Sequence, residues 1–339
     1  MKIVLIILIL IALSACRKHV ENDIIDDIIE TRIIASKMDF NDELPISFYS
    51  FLQANESGLY VTPSNPVNDS VLYKYPHYKT GECCMPLNGI IREGRGPLEL
   101  QSVNLSTKTA NGDTLIFYSF NDSQYLFMDY KGKVFEHINT SVNVLNTGSS
   151  FAYSNGYLLL PIFGKMLGRD HLLTILKVSE DTQYDFFEPR VPAGFEPSIR
   201  NLVFPMGAIP DGFAISFLGD RKVYILGFDG EIKRELIFGQ SDPIPRPFTI
   251  TNPVEAPSSR PYVTKIEFHK GNLYVLIERM IWILDYPSFE AKKKIAVIRN
   301  PEENSAPVID FSVTDDIMYL RMGNDGLYYI QTNPNWFNY

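Results

Sequence analysis

The segment Ile90-Ile91-Arg92-Glu93-Gly94-Arg95-Gly96-Pro97-Leu98-Glu99 concentrates residues suited to anion recognition. A guanidinium is planar and permanently charged, and it grips a carboxylate or phosphate with two parallel hydrogen bonds, so Arg92 and Arg95 are candidate clamps. Gly94 and Gly96 tolerate positive φ, and Pro97 fixes its own φ while keeping Gly96 out of the helical region, so the segment reads as a rigid turn. The structural alternative is that the same arginines pair with Glu93, Glu99 or backbone carbonyls. A phosphate loop is excluded, because that motif needs Gly-Lys-Ser/Thr opening a helix.

Other reactive residue types are sparse. His19, His77, His137, His171 and His269 include no H-x-H and no i, i+4 pair, so a zinc site would have to assemble from distant segments. No G-x-S-x-G is present, and no catalytic residue is assigned. Cys83 and Cys84 are adjacent. In an oxidising compartment they can close a vicinal disulfide, strained because neighbouring Cα atoms lie about 3.8 Å apart; the alternative is a pair of partly buried thiols. A thiol-redox enzyme would show C-x-x-C, which is absent.

The elements that must position these residues are strands. The 339 residues include 22 Phe and 19 Tyr but 2 Trp, and aromatics favour strands. A unit recurs: a small polar or Gly turn, a β-branched and aromatic strand, a polar loop, a second strand ending near Asp, a Gly-bearing turn and a third strand. The clearest copies begin at Gly112, Asp211 and Gly271. Aligned on Leu59, Leu115, Tyr157, Phe213, Leu273 and Met318, the six units are spaced 56, 42, 56, 60 and 45 residues apart. An apolar segment precedes each anchor, as at residues 262–268 and 307–313, and supplies a fourth strand. This predicts an all-β fold, a six-bladed β-propeller of four-stranded antiparallel blades. The sixth unit runs out of chain before its outer strand, and residues 31–37 (TRIIASK) are expected to complete it and close the ring.

The chain opens MKIVLIILILIALSAC, with Lys2 before an apolar run over residues 3–13 and Leu13-Ser14-Ala15-Cys16 after it. The run is shorter than the about 20 residues of a membrane helix, and small residues before a cysteine suit a signal peptidase. The pattern resembles the signal of bacterial lipoproteins. That resemblance implies cleavage before Cys16, diacylation of its thiol and acylation of the new amine, a stable multi-chain anchor. Residues 1–15 are therefore expected to be a signal peptide, 16–30 a tether and 31–339 the propeller. Arg17, where Asp would signal retention at the inner membrane, points by the same resemblance to the outer membrane. The Gly-Arg-Gly-Pro segment, the chain length and the repeats together resemble the TolB-like six-bladed propeller lipoproteins, relatives of the NHL-type propellers. The resemblance implies a cell-envelope propeller and no known reaction.

In such a ring the strand 2–3 loops and the crossings between blades share one face. That face receives ten of the fourteen arginines, among them Arg92, Arg95, Arg169, Arg200, Arg221, Arg260 and Arg279. On a chain of net charge −9, which disfavours nucleic acid as a partner, an arginine-rich face suits an anionic saccharide or peptide or an acidic partner protein. The alternative is that these arginines pair with acids of the same loops. Asp310, ending the sixth inner segment, is a candidate to line the channel and hold Ca2+, or else a polar residue facing solvent. The expected function is a monomeric binding or scaffold propeller anchored in the membrane by lipid. The competing reading is a metal-dependent hydrolase or lactonase-like enzyme working in the central channel.

Overall fold

The computed structural model describes residues 21–25, 28–38, 49–63, 69–77, 89–96, 98–119, 121–139, 151–161, 173–180, 182–186, 205–217, 221–239, 262–303, 306–323 and 326–332. Three strands lead the chain: β1 (Glu21–Ile25), β2 (Glu30–Ile34) and β3 (Ser36–Lys37). Blade 1 follows with β4 (Tyr49–Asn55), β5 (Gly58–Pro63), β6 (Ser70–Pro76) and β7 (Ile91–Arg92). Blade 2 holds β8 (Leu105–Lys108), β9 (Thr114–Ser119), β10 (Gln124–Asp129) and β11 (Val134–Asn139). Blade 3 holds β12 (Ala152–Ser154), β13 (Tyr157–Pro161), β14 (Leu173–Lys177) and β15 (Thr182–Phe186). Blade 4 is built of β16 (Met206–Ile209), β17 (Gly212–Ile215), β18 (Lys222–Leu226) and β19 (Ile232–Phe238). Blade 5 is built of β20 (Val263–His269), β21 (Asn272–Ile277), β22 (Met280–Asp285) and β23 (Ala291–Ile298). Blade 6 has β24 (Val308–Val313), β25 (Ile317–Met322) and β26 (Leu327–Gln331) from the C-terminal end, and β3 completes it.

Within each blade successive strands are antiparallel neighbours. The middle strands show why. Every residue of β21 is buried, and five of six in β9, because both faces of a blade's centre are covered by neighbouring blades. Such strands are continuously apolar, whereas β11, an outer strand, is mostly exposed. Six apolar clusters fill the six interfaces between adjacent blades, including the one where blade 6 meets blade 1 through Tyr319, Leu327, Leu59 and Tyr75. The ring is a closed six-bladed propeller. Among the described residues the sole helical element is a 3-10 turn, Val178–Glu180.

Closure differs in detail from the sequence expectation. Of residues 31–37, only Ser36 and Lys37 pair with blade 6, opposite Tyr329 and Tyr328, and the Met38 amide donates to Leu327 O at 3.0 Å. The preceding β2 instead runs parallel to β23 as a fifth strand of blade 5. The segment read as a tether also carries β1, which lies parallel to β19 as a fifth strand of blade 4. Both additions satisfy otherwise open outer edges and insert an apolar residue, Ile25 into the blade 4/5 cluster and Ile33 against the blade 5/6 cluster. The N-terminal segment is thus a strap that crosses the rims of blades 4, 5 and 6. Residues 1–15, read as a signal peptide, and Cys16 lie outside the described residues, as do Cys83 and Cys84.

Candidate ligand-binding site

Side chains from the inner strands meet at the axis of the ring. Period-2 alternation puts Lys265, Glu267 and His269 on one face of β20 and Ile266 and Phe268 on the other, in the blade 4/5 core. Each of the three polar groups meets blade 6 at a different level. Nearest the crossing face, Lys265 Nζ lies 3.1 Å from Asp310 Oδ1, and Asp310 stands opposite Arg321 in register. At mid-level, Glu267 Oε1 accepts from the Val313 amide at 2.6 Å and from Ser312 Oγ at 3.2 Å. It also meets Lys108 Nζ at 2.7 Å, with both side chains about 4% exposed. Lys108 belongs to blade 2, across the ring from blade 5, so this ion pair spans the axis. Its ammonium donates to Val313 O at 2.7 Å and to Ala54 O at 3.4 Å, tying blades 1, 2, 5 and 6 to one point.

The third level opens on the face of the strand 1–2 hairpins. His269 Nε2 lies 3.0 Å from Asp315 Oδ1, Lys270 Nζ bonds the other Asp315 oxygen, and the Asp315 amide donates to Glu56 Oε1 at 3.0 Å. Burial, reinforced by the charge of Lys108, pushes the His269 imidazole down to about 4, so the ring is neutral at pH 7. Burial also raises Glu56. In Asp315 burial acts upward, but the Lys270 hydrogen bond and the Lys270 and His269 charges outweigh it and hold the carboxyl below its ordinary value. Glu56, His269 and Asp315 place one ligand atom each within 4.8 Å of one another, a geometry that could hold a cation, with the Lys270 ammonium as its competitor.

Beside this cluster a pocket of about 660 Å³ is lined by the hairpins of four blades. Blade 2 contributes Thr109, Asn111 and Asp113, blade 3 Tyr153 and Asn155, blade 4 Pro210, and blade 5 Phe268 and Lys270. The blade 2 hairpin is braced internally, and those of blades 3 and 4 are tied to each other. Thr109 Oγ1 and Asn111 Nδ2 donate to the two Asp113 oxygens at 2.8 and 2.7 Å, and Asn155 Nδ2 donates to Pro210 O across the blade 3/4 boundary at 2.8 Å. Asn155 and Lys270 hold left-handed backbones, with φ of 49° and 42°. Lysine seldom adopts that conformation, and strain of this kind concentrates where a side chain must be presented.

The arginine face is described in part. Arg169, Arg200 and Arg260 lie outside the described residues. Arg92 and Arg95 are exposed on the crossing from blade 1 to blade 2, where the turn is held by a Gly96 amide bond to Glu99 Oε2 at 2.9 Å. Arg221 lies over the Tyr262 ring at 4.6 Å and meets Glu278 at 3.4 Å. Arg279 is exposed, and Arg299 is bound to Glu303 at 2.5 Å. Asp310 is faced by Lys265. Of the axial groups the sequence reading named only Asp310 for the channel, although the alternation Lys265-Ile266-Glu267-Phe268-His269, charged residues on an inner strand, was a usable signal.

No helix among the described residues is long and apolar enough to cross a membrane. No family model matches the chain, and no curated protein matches it. Among solved structures it is similar to a Bacteroides fragilis protein named as exported, at 12% identity, covering 93% of this chain and 100% of that one with a TM-score of 0.51. It is also similar to a member of the DUF4221 family from Bacteroides vulgatus, at 12% identity over 90% of this chain and 98% of that one, with a TM-score of 0.49. At this identity the likeness concerns the propeller fold.

Proposed function

We propose that this chain is an exported binding propeller of the cell envelope, anchored in the outer membrane through lipid on Cys16, whose hairpin-face mouth receives a saccharide or peptide. The observation that carries the reading is the 660 Å³ pocket with its fixed, mixed lining. Its size suits a small organic ligand. Hydroxyl and amide groups supply donors and acceptors, and Tyr153 and Phe268 supply apolar rings. The axial lysines favour binding over the competing metal-dependent hydrolase or lactonase-like reading. Lys265, Lys108 and Lys270 each face a carboxylate, Asp310, Glu267 and Asp315, that Ca2+ would need.

The arginine face is a second surface, suited to an acidic partner protein or anionic saccharide through the exposed Arg92, Arg95 and Arg279. Arg221 and Arg299 are already engaged by acids of the same face, which supports the mouth as the primary site. Equilibrium binding of a chain beginning at residue 17 to saccharide and peptide libraries separates the two. Asn111→Trp, which blocks the mouth, is expected to weaken binding about tenfold or more, and Arg92→Ala/Arg95→Ala to leave it near unchanged. The reverse pattern would move the site to the arginine face. Fractionation of Cys16→Ser checks the anchor: release from membranes is expected, and continued tight association would overturn it.

A further inference from the structure

The strap contains three isoleucine pairs, Ile24-Ile25, Ile28-Ile29 and Ile33-Ile34, and each pair divides the same way. Ile25, Ile28 and Ile33 pack inward on the clusters of blades 4, 5 and 6. Ile24, Ile29 and Ile34 face outward, 52%, 91% and 54% exposed. Strand alternation accounts for one residue in and one out, but not for the outward one being isoleucine. A solvated rim ordinarily carries charge there, which discourages edge pairing. The outer strands beneath the strap have the opposite character. β19 and β23 carry Lys233, Arg234, Lys292, Lys293 and Lys294, with Glu235, paired to Lys222 at 2.8 Å, as their one carboxylate. The strap sequence itself carries Glu21, Asp23, Asp26, Asp27 and Glu30, Arg234 is bonded to Asp23 at 3.1 Å and Lys292 to Asp285 at 2.5 Å, so the rim is mixed in charge and the exposed isoleucines are what set it apart.

We propose that the rim of blades 4 and 5 rests on a lipid surface, with Ile24, Ile29 and Ile34 entering the boundary of the acyl chains. The proposal rests on the reading of Cys16 as a lipid anchor. Four residues lie between Cys16 and Glu21, and the five steps of chain reach about 17 Å when fully extended. The acyl chains therefore hold the start of β1, and blade 4 with it, close to the membrane. A disc leashed at that point stands on its rim, and both the hairpin mouth and the arginine face open sideways to solvent.

The test uses the full chain, purified from membranes and reconstituted in vesicles of neutral and anionic phospholipid that carry a quencher in the acyl region. In a Cys83→Ser/Cys84→Ser background, a fluorophore is placed at Arg32→Cys, on the strap, or at Glu136→Cys, on the outer strand of the opposite blade 2. Quenching is expected to be several times greater at the strap position, and Ile24→Ser/Ile29→Ser/Ile34→Ser is expected to reduce that difference. Intact mass reports acylation of Cys16 separately. Equal quenching at both rims of an acylated chain overturns the orientation alone. An unacylated Cys16 overturns the anchor and the orientation with it. Strap-to-strap cross-linking between two copies, with the strap unquenched, assigns the surface to self-association and likewise overturns the proposal.

Discussion

The Lys108–Glu267 pair is the tightest constraint on the axis, because neither group reaches water and each is held by carbonyls or amides of other blades. Removing one partner leaves a buried charge uncompensated, which in comparable sites costs about 3–5 kcal/mol, whereas replacing both by apolar groups of similar volume is often near neutral. Lys108→Met is therefore expected to lower stability by that amount, and Lys108→Met/Glu267→Met to recover most of it, as read from denaturant midpoints. The next level up is pH-sensitive. His269 faces Lys108, Glu267 and Asp315, with Lys270 and Glu56 in the same cluster, and its folded pKa of about 4 lies below the 6.5 of the free group. Its contribution to stability is fully present above pH 6.5 and is lost as pH falls toward 4. The loss at pH 5 is about 2 kcal/mol. His269→Gln should flatten this dependence, and denaturation at pH 7.5 and pH 5 measures it. A drop in the variant as steep as in the parent would assign the effect to the carboxylates.

At the scale of strands, the blades were legible because their signal is local: a run of β-branched and aromatic residues bounded by Asn-Gly, Asp-Gly or Lys-Gly turns survives in any single unit. Gly212 shows how closely such a unit is fitted. A Cβ there would sit 1.9 Å from Leu226 O on the neighbouring strand. Gly156, at φ of 84°, has open space where a side chain would go. Gly212→Ala is thus expected to cost roughly 1–3 kcal/mol by forcing β17 from β18, while Gly156→Asn should stay within about 1 kcal/mol, since asparagine tolerates that backbone. Thermal melts of the two variants provide the comparison. The strap was illegible for the complementary reason. β1 and β2 pair in parallel with strands some two hundred residues and more away, and their acid-flanked isoleucine pairs carry neither helical nor clean strand periodicity. The axial cluster was hidden in the same way, because Glu56, Lys108, His269 and Asp315 come from four blades and only closure brings them together. The arginine asymmetry is an expectation from loop positions, and five of its ten arginines lie outside the described residues; the engagement of Arg221 by Glu278 and Tyr262 depends on the spacing of adjacent blades.

For the whole molecule, the strap changes how the ring is closed. A propeller closed only within blade 6 depends on the short pairing of Ser36 and Lys37 with β26, together with the buried Met38. Here the same segment continues back over blades 5 and 4, adding ten residues of parallel pairing that join three blades along their rims. The layers should detach in order. A chain starting at residue 26 loses β1 and one buried isoleucine, Ile25, about 1.5–3 kcal/mol of apolar burial, and leaves the ring intact. A chain starting at residue 39 loses Ala35 and Met38 as well and uncovers the edge of β26, whose Leu327, Tyr328 and Tyr329 are otherwise buried. An open apolar strand edge pairs with a second copy. The first truncation is thus expected to remain monodisperse with a modestly lowered melting temperature, and the second to self-associate as concentration rises, in size-exclusion chromatography with light scattering. If both truncations stayed monomeric and melted alike, the closing strand would contribute little to the ring and the apolar interfaces between blades would suffice to hold it.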